Sequence, residues 1–279
     1  MPITMNSVPK VKSSFPVRNI KFNFESSPRY WFDHDPLFSH LLNGLSGIFP
    51  QGELFLITTL RTVRQGIKDS QLQADISAFI GQEAMHSKEH TAFNRYADQH
   101  DIDIETLERQ MKRFYTLMDR ILPAMHRMAI GCAIEHCTAT LGAELLRSDD
   151  WHQRMVGPLR ELWVWHALEE NEHKAVFFDA YQAAGGGYLK RVTWMAISGS
   201  VLVGLAIHNC VRLLHADQKL LSRQHLKSIA KGFHPRTGIF NLSVMNGFID
   251  YFYPSFHPFD HDTQQLEQHW RQQLQLKST

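Results

Sequence analysis

Two copies of one short motif carry the residues whose types and spacing are best suited to chemistry. The motif is Glu-x-x-His, with one copy at Glu83 and His86 and the other at Glu170 and His173. Residues three apart on an α-helix share a face, so each copy offers one carboxylate and one imidazole to a single metal ion. Two such motifs on two helices of a bundle are typical of dinuclear carboxylate centres, in which two further helices each donate one glutamate.

The positions of residues along the axis of a helical hairpin identify those two further glutamates. In an antiparallel hairpin, residues at one height lie symmetrically about the turn. Positions 53 and 83 have their midpoint at 68, inside a short turn at 67–70, and positions 135 and 170 have theirs at 152.5, inside the next connection. Glu53 and Glu135 also have apolar neighbours, and a buried carboxylate is costly unless it is paired or bound to metal. Both are therefore predicted as metal ligands level with the two motifs.

A further histidine shares the face of the second motif. His166 precedes Glu170 by four residues and His173 by seven, so all three side chains point the same way. We predict His166 as a seventh ligand. With Glu53, Glu83, His86 and Glu135, the predicted set is four glutamates and three histidines.

Three neighbouring residues are predicted to support the ligands. His90 follows His86 by four residues and lies on the same side, as a further ligand or as a hydrogen-bond partner of one. His136 is rotated by about 100° from Glu135, which favours a supporting or packing role. Glu169 is predicted to substitute for a neighbouring ligand or to orient a histidine.

The donor types restrict the metal. Oxygen and imidazole ligands without thiolate suit iron or manganese, whereas zinc prefers fewer ligands. Carboxylates able to bridge two ions favour one dinuclear site over two separate sites. The prediction is two iron ions, with manganese left open and zinc less suited.

The elements that must position these residues are all helical, because no alternating strand pattern of useful length occurs. The predicted fold is all-α, a ferritin-like four-helix bundle with additional N- and C-terminal helices. Residues 1–30 form a proline-containing arm, and 31–279 form one helical domain, with the bundle at about 50–185 and a helical extension at about 188–279. The predicted helices span 36–49, 50–67, 71–99, 104–147 with an interruption or kink at Pro123, and 159–184, with Ser70 as an N-cap and Gly185 to Gly187 as a terminator.

Composition restricts the partners. The chain has 279 residues and a formal net charge of +1, so no nucleic acid partner is expected. Its three cysteines form no close pair and its N-terminus lacks the apolar core of a signal peptide, which predicts a cytoplasmic protein. The uncharged run 192–211 is long enough to cross a bilayer, so a buried helix, a hydrophobic docking surface and membrane association are all left open, as is a homodimer.

Four stretches of the chain resemble a bacterial family described as predicted metal-dependent hydrolases. They are Phe49 to Glu53, Gln82 to His90, Glu135 to Ala139 and Trp165 to Lys174, and the likeness extends from about Pro16 to Pro258. The family name implies hydrolysis. The order of the four glutamates and three histidines is similar to that of the di-iron arylamine N-oxygenases, in which the additional histidine lies at the position of His166 here.

Three functions are compatible with this ligand set. The first is an O2-activating oxidase or oxygenase acting on a small or lipid-like substrate, which the ligand order favours. The second is a hydrolase that uses a dinuclear site to activate water. The third is non-catalytic iron binding or storage, which the long C-terminal region makes less suitable.

Overall fold

The structure is a computed structural model that describes residues 12–220, 223–235, 238 and 240–274. These residues contain no β-strand, only one isolated bridge between Phe32 and Met155, so the all-α prediction is confirmed. The α-helices in chain order are α1 (Pro36–Ser46), α2 (Phe49–Val63), α3 (Ser70–Gln99), α4 (Glu105–Ile121), α5 (Ala124–Arg147), α6 (Asp149–Arg154), α7 (Gly157–His173), α8 (Val176–Ala183), α9 (Tyr188–Ala216), α10 (Arg223–Gly232), α11 (Leu242–Asp250) and α12 (Gln264–Gln273).

Four of these helices form the bundle that carries both motifs. Helix α2 packs on α3 and α5 packs on α7, and the two pairs meet through contacts of α2 with α5 and of α3 with α7. Each pair is a hairpin, so the predicted ligand helices are neighbours in space. The helical bundle expected from the motif spacing is therefore present.

Two apolar clusters fill the bundle, one on each side of a polar layer. Along α3, Ile76 and Phe79 belong to the first cluster and Phe93 to the second. Glu83 and His86 lie between them and are almost fully buried. The same helix face is thus apolar, polar and apolar again, so the polar residues are enclosed by core on both sides.

Local sequence sets most helix boundaries. Pro50 lies in the first turn of α2, where its missing N–H costs nothing. Pro123 separates α4 from α5, which confirms the predicted interruption of 104–147. The N-cap of α3 is Asp69, whose carboxylate accepts a hydrogen bond from the amide of Leu72 at 2.7 Å. The prediction of Ser70 as the cap is wrong by one residue.

Two further boundaries differ from the prediction. The connection between α5 and α7 contains the short helix α6, because the Ser148 side chain caps it. The single helix expected over 159–184 is two helices, separated at Lys174 and Ala175. Both residues keep right-handed helical dihedral angles, so the chain bends there without a loop. The helix ends before Gly185 as predicted, and the φ of +83° at this residue suits glycine.

The described part of the N-terminal arm crosses the bundle in an extended form. Phe15 is buried in the first apolar cluster, and Pro16 accepts a hydrogen bond from Gln82 through its carbonyl oxygen. Residues 1–11 of the predicted arm lie outside the described residues. The arm thereby covers the side of the bundle formed by α3 and α7.

Close packing at one glycine fixes α8 against α5. A Cβ atom at Gly131 would lie 2.2 Å from the ring of Phe177, whereas a Cβ at Gly199 on α9 would meet no atom within 4 Å. Gly131→Ala should lower the free energy of unfolding by about 1–3 kcal/mol, because the buried ring has to move. Gly199→Ala, the matched control, should raise it by about 0.5–1 kcal/mol. Equal denaturant midpoints for the two variants would contradict this packing.

Candidate metal centre

The predicted ligands of the two motifs and their partner helices converge inside the bundle. Three groups of residues bring one ligand atom each within 4.8 Å of one another. All members are buried, and they come from α2, α3, α5 and α7. The groups are Glu53 with His86 and His166, Glu83 with Glu135 and His173, and Glu83 with His86 and Glu170.

The two motif histidines each face carboxylates from other helices. The Nε2 atom of His173 lies 3.3 Å from Glu83 Oε1 and 3.3 Å from Glu135 Oε2. The Nδ1 atom of His86 lies 3.6 Å from Glu170 Oε1 and 3.7 Å from Glu83 Oε1. Glu83 and Glu170 therefore each have a carboxylate oxygen within 3.7 Å of both imidazoles.

Gln82 sets the tautomer of His173. The amide nitrogen of Gln82 donates to the Pro16 carbonyl and to Glu172, so its oxygen Oε1 is turned towards His173 Nδ1, at 2.9 Å. An amide oxygen only accepts, so Nδ1 must carry the proton. The lone pair of Nε2 is then directed at the carboxylates, as a metal-binding imidazole requires.

Glu169 sets the tautomer of His86 in the same way. Its Oε2 lies 3.1 Å from His86 Nε2, which must donate to it and leaves the Nδ1 lone pair facing the site. The other oxygen of Glu169 accepts from Trp165 Nε1 at 2.9 Å and from Arg18 at 2.8 Å. The predicted orienting role of Glu169 thus has a defined hydrogen-bond geometry, and Arg18 links it to the N-terminal arm.

Among the residues that the structure describes, the inward-facing atoms of six predicted ligands have no hydrogen-bond partner. Buried polar groups are almost always paired, so a cluster of unpaired ones needs an explanation. Each of these atoms is a donor type that binds divalent metals. They are both carboxylate oxygens of Glu53, Oε1 of Glu83, Nδ1 of His86, Oε2 of Glu135, Oε2 of Glu170 and Nε2 of His173.

Burial and mutual repulsion disturb the protonation of this cluster. Burial, reinforced by Glu170, raises the pKa of Glu135 to about 8. Burial and the charge of Glu83 raise the pKa of Glu53 well above its usual value. Burial opposes ionisation of Glu170 as well, but His173 and His166 outweigh it and hold the pKa of Glu170 well below its usual range. The metal-free site therefore retains protons that a bound cation would displace.

His166 differs from the other ligands because protein groups contact both of its nitrogens. Its Nε2 lies 2.9 Å from Glu170 Oε1 and its Nδ1 lies 2.7 Å from His90 Nε2. His90 Nδ1 continues to Ser46 Oγ at 2.8 Å, and that hydroxyl donates to Asn94. His166 is within reach of Glu53 and His86, and a buried hydrogen-bonded chain supports it from behind.

His136 lies away from this cluster. Its Nε2 is 2.9 Å from the carbonyl oxygen of Gly247, and its ring packs against Tyr251 and Phe256. The sequence predicted either a supporting or a packing role for His136, and these contacts match a packing role. It joins α5 to α11.

A family model matches residues 16–262 and describes a predicted metal-dependent hydrolase. The chain belongs to that family. The matched range contains every residue of the cluster and agrees with the resemblance seen in the sequence. No curated protein and no solved structure matches the chain, so the ferritin-like designation of the bundle stays a prediction. Membership agrees with buried groups able to hold a metal, and it leaves the identity of the metal open.

Several residues that hold the centre of this family member in place were missed by sequence reasoning. Gln82 could have been found from the sequence, because it directly precedes the first motif and an amide beside a ligand on a buried face has to form hydrogen bonds. Arg18, on the arm, could not have been found in this way, since only folding brings it within 2.6 Å and 2.7 Å of the two oxygens of Glu172. Tyr115 lies beside the turn of Glu53, where its hydroxyl would be 3.3 Å from a Cβ at Gly52.

The stability of the metal-free protein should fall as pH rises above neutrality. The folded state holds a proton on Glu135 up to a pKa of about 8, while the unfolded carboxyl ionises near its usual pKa of 4.5. A group with a raised folded pKa loses its contribution to stability as pH rises through that value. Glu53 acts with the same sign, and so do His86 and His173, because the neighbouring carboxylates outweigh the effect of burial and raise the pKa of both imidazoles.

The melting temperature of chelator-treated protein should therefore drop between about pH 7 and about pH 9. Metal-loaded protein should not show this drop, because bound cations keep the ligands deprotonated. Glu135→Gln keeps the side-chain shape but cannot titrate. The melting temperature of this variant should therefore fall less steeply with pH than that of the unchanged protein. If the melting temperatures of the variant and the unchanged protein fall equally with pH, Glu135 does not hold such a proton.

Proposed function

We propose that the protein is a hydrolase that uses two divalent metal ions bound by Glu53, Glu83, His86, Glu135, Glu170 and His173. One observation carries the proposal, namely the convergence of unpaired, buried oxygen and nitrogen atoms from four helices. Membership of a family of predicted metal-dependent hydrolases supports the reaction class.

Charge supports two ions. The four carboxylates Glu53, Glu83, Glu135 and Glu170 would bring four negative charges into the core when ionised. Their ion-pair partners among the described residues are histidines, and no lysine or arginine pairs with them. Isolated buried charges are too costly to persist. Two divalent cations would neutralise the four carboxylates and leave both imidazoles neutral.

The donor set supports iron or manganese as the bound metal. All six proposed ligands supply carboxylate oxygen or imidazole nitrogen, and the cysteines nearest in sequence, Cys132 and Cys137, are buried thiols whose pKa burial raises. Carboxylate and imidazole suit iron and manganese. Zinc has fewer ligands in most protein sites, which makes it the less suitable ion here.

When bound, two such ions would supply Lewis acidity, which lowers the pKa of water and stabilises a developing oxyanion. The chain's own residues have separate tasks. Gln82 and Glu169 keep His173 and His86 in the tautomers that leave a lone pair for the metal. The two apolar clusters exclude bulk water, which strengthens every electrostatic interaction inside.

Glu53 is the proposed ligand whose two carboxylate oxygens both lack a hydrogen-bond partner among the described residues. Burial and Glu83 raise its pKa well above the usual value. The metal-free protein therefore holds a proton on Glu53 that a bound cation would displace. Burial and the charge of Glu53 also raise the pKa of the neighbouring Tyr115, so its phenol stays protonated and available as a hydrogen-bond donor.

Oxygen chemistry on a small or lipid-like substrate is the second candidate, and one observation favours it. His166 adds a third imidazole within 4.8 Å of the ligand atoms of Glu53 and His86, as the ligand order of the di-iron N-oxygenases implies. Two ferrous ions in such a carboxylate site can reduce O2 together. The reaction class therefore needs a direct test.

Metal content tests the dinuclear centre. Protein reconstituted with iron or manganese under anaerobic conditions should contain about two ions per chain, measured by elemental analysis after gel filtration. Glu83→Ala should lose most of this metal, because Glu83 belongs to two of the ligand groups. His208→Ala, on the exposed side of α9, should retain all of it. One ion per chain at saturation would contradict the proposal.

The orienting role of Glu169 is tested by affinity. Glu169→Leu removes the acceptor of His86 Nε2–H and should weaken metal binding by about 10–100-fold, since ligand tautomer and orientation are lost. Competition against a chromophoric chelator measures this effect. Glu161→Leu replaces an exposed glutamate two helical turns earlier on α7 and should leave the affinity unchanged. Equal affinities for both variants would mean that Glu169 has no such role.

The reaction class is tested with defined metal forms. Apo-protein loaded with manganese, iron or zinc should cleave members of a panel of nitrophenyl esters and phosphoesters, at rates independent of O2. Glu53→Gln should lower metal content and hydrolysis rate together, because a proposed ligand is lost. If no metal form hydrolyses the panel and the ferrous protein consumes O2 in proportion to its iron, the hydrolase assignment is wrong and the second candidate is right.

A further inference from the structure

Helix α9 presents an uncharged apolar face to solvent. The exposed residues of this face, called here the apolar face, are Ile197, Val201, Val203, Ile207 and Val211. In the described part of the chain, α9 is the one helix long and apolar enough to cross a membrane, and only 28% of its most apolar window is buried. Contiguous exposed apolar surface of this kind marks an interaction site.

The opposite face of α9 belongs to the protein core. It packs on α1 and α5, and Asn209 donates to the carbonyl oxygen of Gly44 at 3.1 Å. Arg191 is buried near its start and donates to the carbonyl oxygens of Tyr251 and Tyr253. The helix therefore cannot be surrounded by lipid while the bundle is folded. It can only lie along a surface.

A basic helix runs beside the apolar face. Arg212 of α9 pairs with Asp103, just before α4, and Trp194 donates to His126, just after α4, at 2.9 Å. Helices α4 and α9 are thus held side by side and antiparallel. The exposed side of α4 carries Lys112, Arg113 and Arg120. Of the three acids of α4, Glu105 and Asp119 are paired with Arg109 and Arg127, and Glu108 accepts a hydrogen bond from Asn94.

Aromatic side chains are also exposed near the start of α9. The hydroxyl of Tyr188 donates to the carbonyl oxygen of Phe252 at 2.8 Å, which holds that segment against the first turn of α9. Tyr188, Phe252 and Tyr253 are all exposed. Tyrosine and other aromatic residues are enriched where protein meets the lipid headgroup layer.

We propose that this side of the molecule docks on an anionic lipid surface, with α9 in the interface plane and Lys112, Arg113 and Arg120 over the headgroups. An apolar helix face beside a row of cations is the pattern of interfacial helices that bind anionic bilayers. A second copy of the chain fits less well. A two-fold contact would bring the same surface together with itself, and the basic rows of both copies would border one interface.

Vesicle flotation of the full-length protein tests the docking. The protein should float with vesicles of phosphatidylcholine and phosphatidylglycerol, less with phosphatidylcholine alone, and less again at high salt. Lys112→Gln with Arg113→Gln should weaken binding to the anionic vesicles about thirtyfold. Val203→Gln with Ile207→Gln should weaken binding to both vesicle types about tenfold or more.

Matched controls use the same chemistry elsewhere on the surface. Lys21→Gln with Lys68→Gln removes two exposed cations, and Leu226→Gln with Ile229→Gln removes two exposed apolar residues of α10. Both controls should bind like the unchanged protein. The proposal is overturned if the protein does not float, or if the controls weaken binding as much as the test variants. It is also overturned if light scattering without vesicles finds a dimer that Val203→Gln with Ile207→Gln abolishes.

Discussion

The cost of burying four carboxylates is the constraint on which the rest of the structure depends. Glu53, Glu83, Glu135 and Glu170 lie between two apolar clusters, and their inward oxygens have no hydrogen-bond partners in the described part of the chain. Ionised groups are not tolerated there without compensation. The folded protein meets this cost by retaining protons on part of the cluster or by binding cations, so its stability and its metal content are linked.

The groups around the ligands are arranged to leave the ligand atoms free. Gln82 and Glu169 each take the outer N–H of one imidazole, so neither His173 nor His86 can turn its lone pair away from the site. Arg18 satisfies Glu169 from the N-terminal arm. A segment that looks like a linker in the sequence therefore takes part in fixing the donors, because its guanidinium donates to Glu169 beside the hydrogen bond from Trp165 of α7.

The helices outside the bundle divide into supporting and surface elements. Helix α11 closes over α5 through His136, while α9 gives one face to the core and leaves the other in solvent. The chemical site and the apolar face thus belong to separate layers of one molecule. A protein of this construction can hold its reactive centre in a dry interior and still present a lipid-compatible surface outside.

The sequence by itself determined the all-α class, the two Glu-x-x-His motifs and the heights of Glu53 and Glu135, because helical periodicity and hairpin symmetry are local properties of the chain. Only the tertiary structure decided which atoms remain unpaired, that Gln82 and Arg18 support the centre, and that α9 leaves an apolar face in solvent. Those properties depend on contacts between segments far apart in the chain, and no spacing rule encodes them. The break between α7 and α8 after His173 was also decided by the tertiary structure, since no proline or glycine marks it in the sequence.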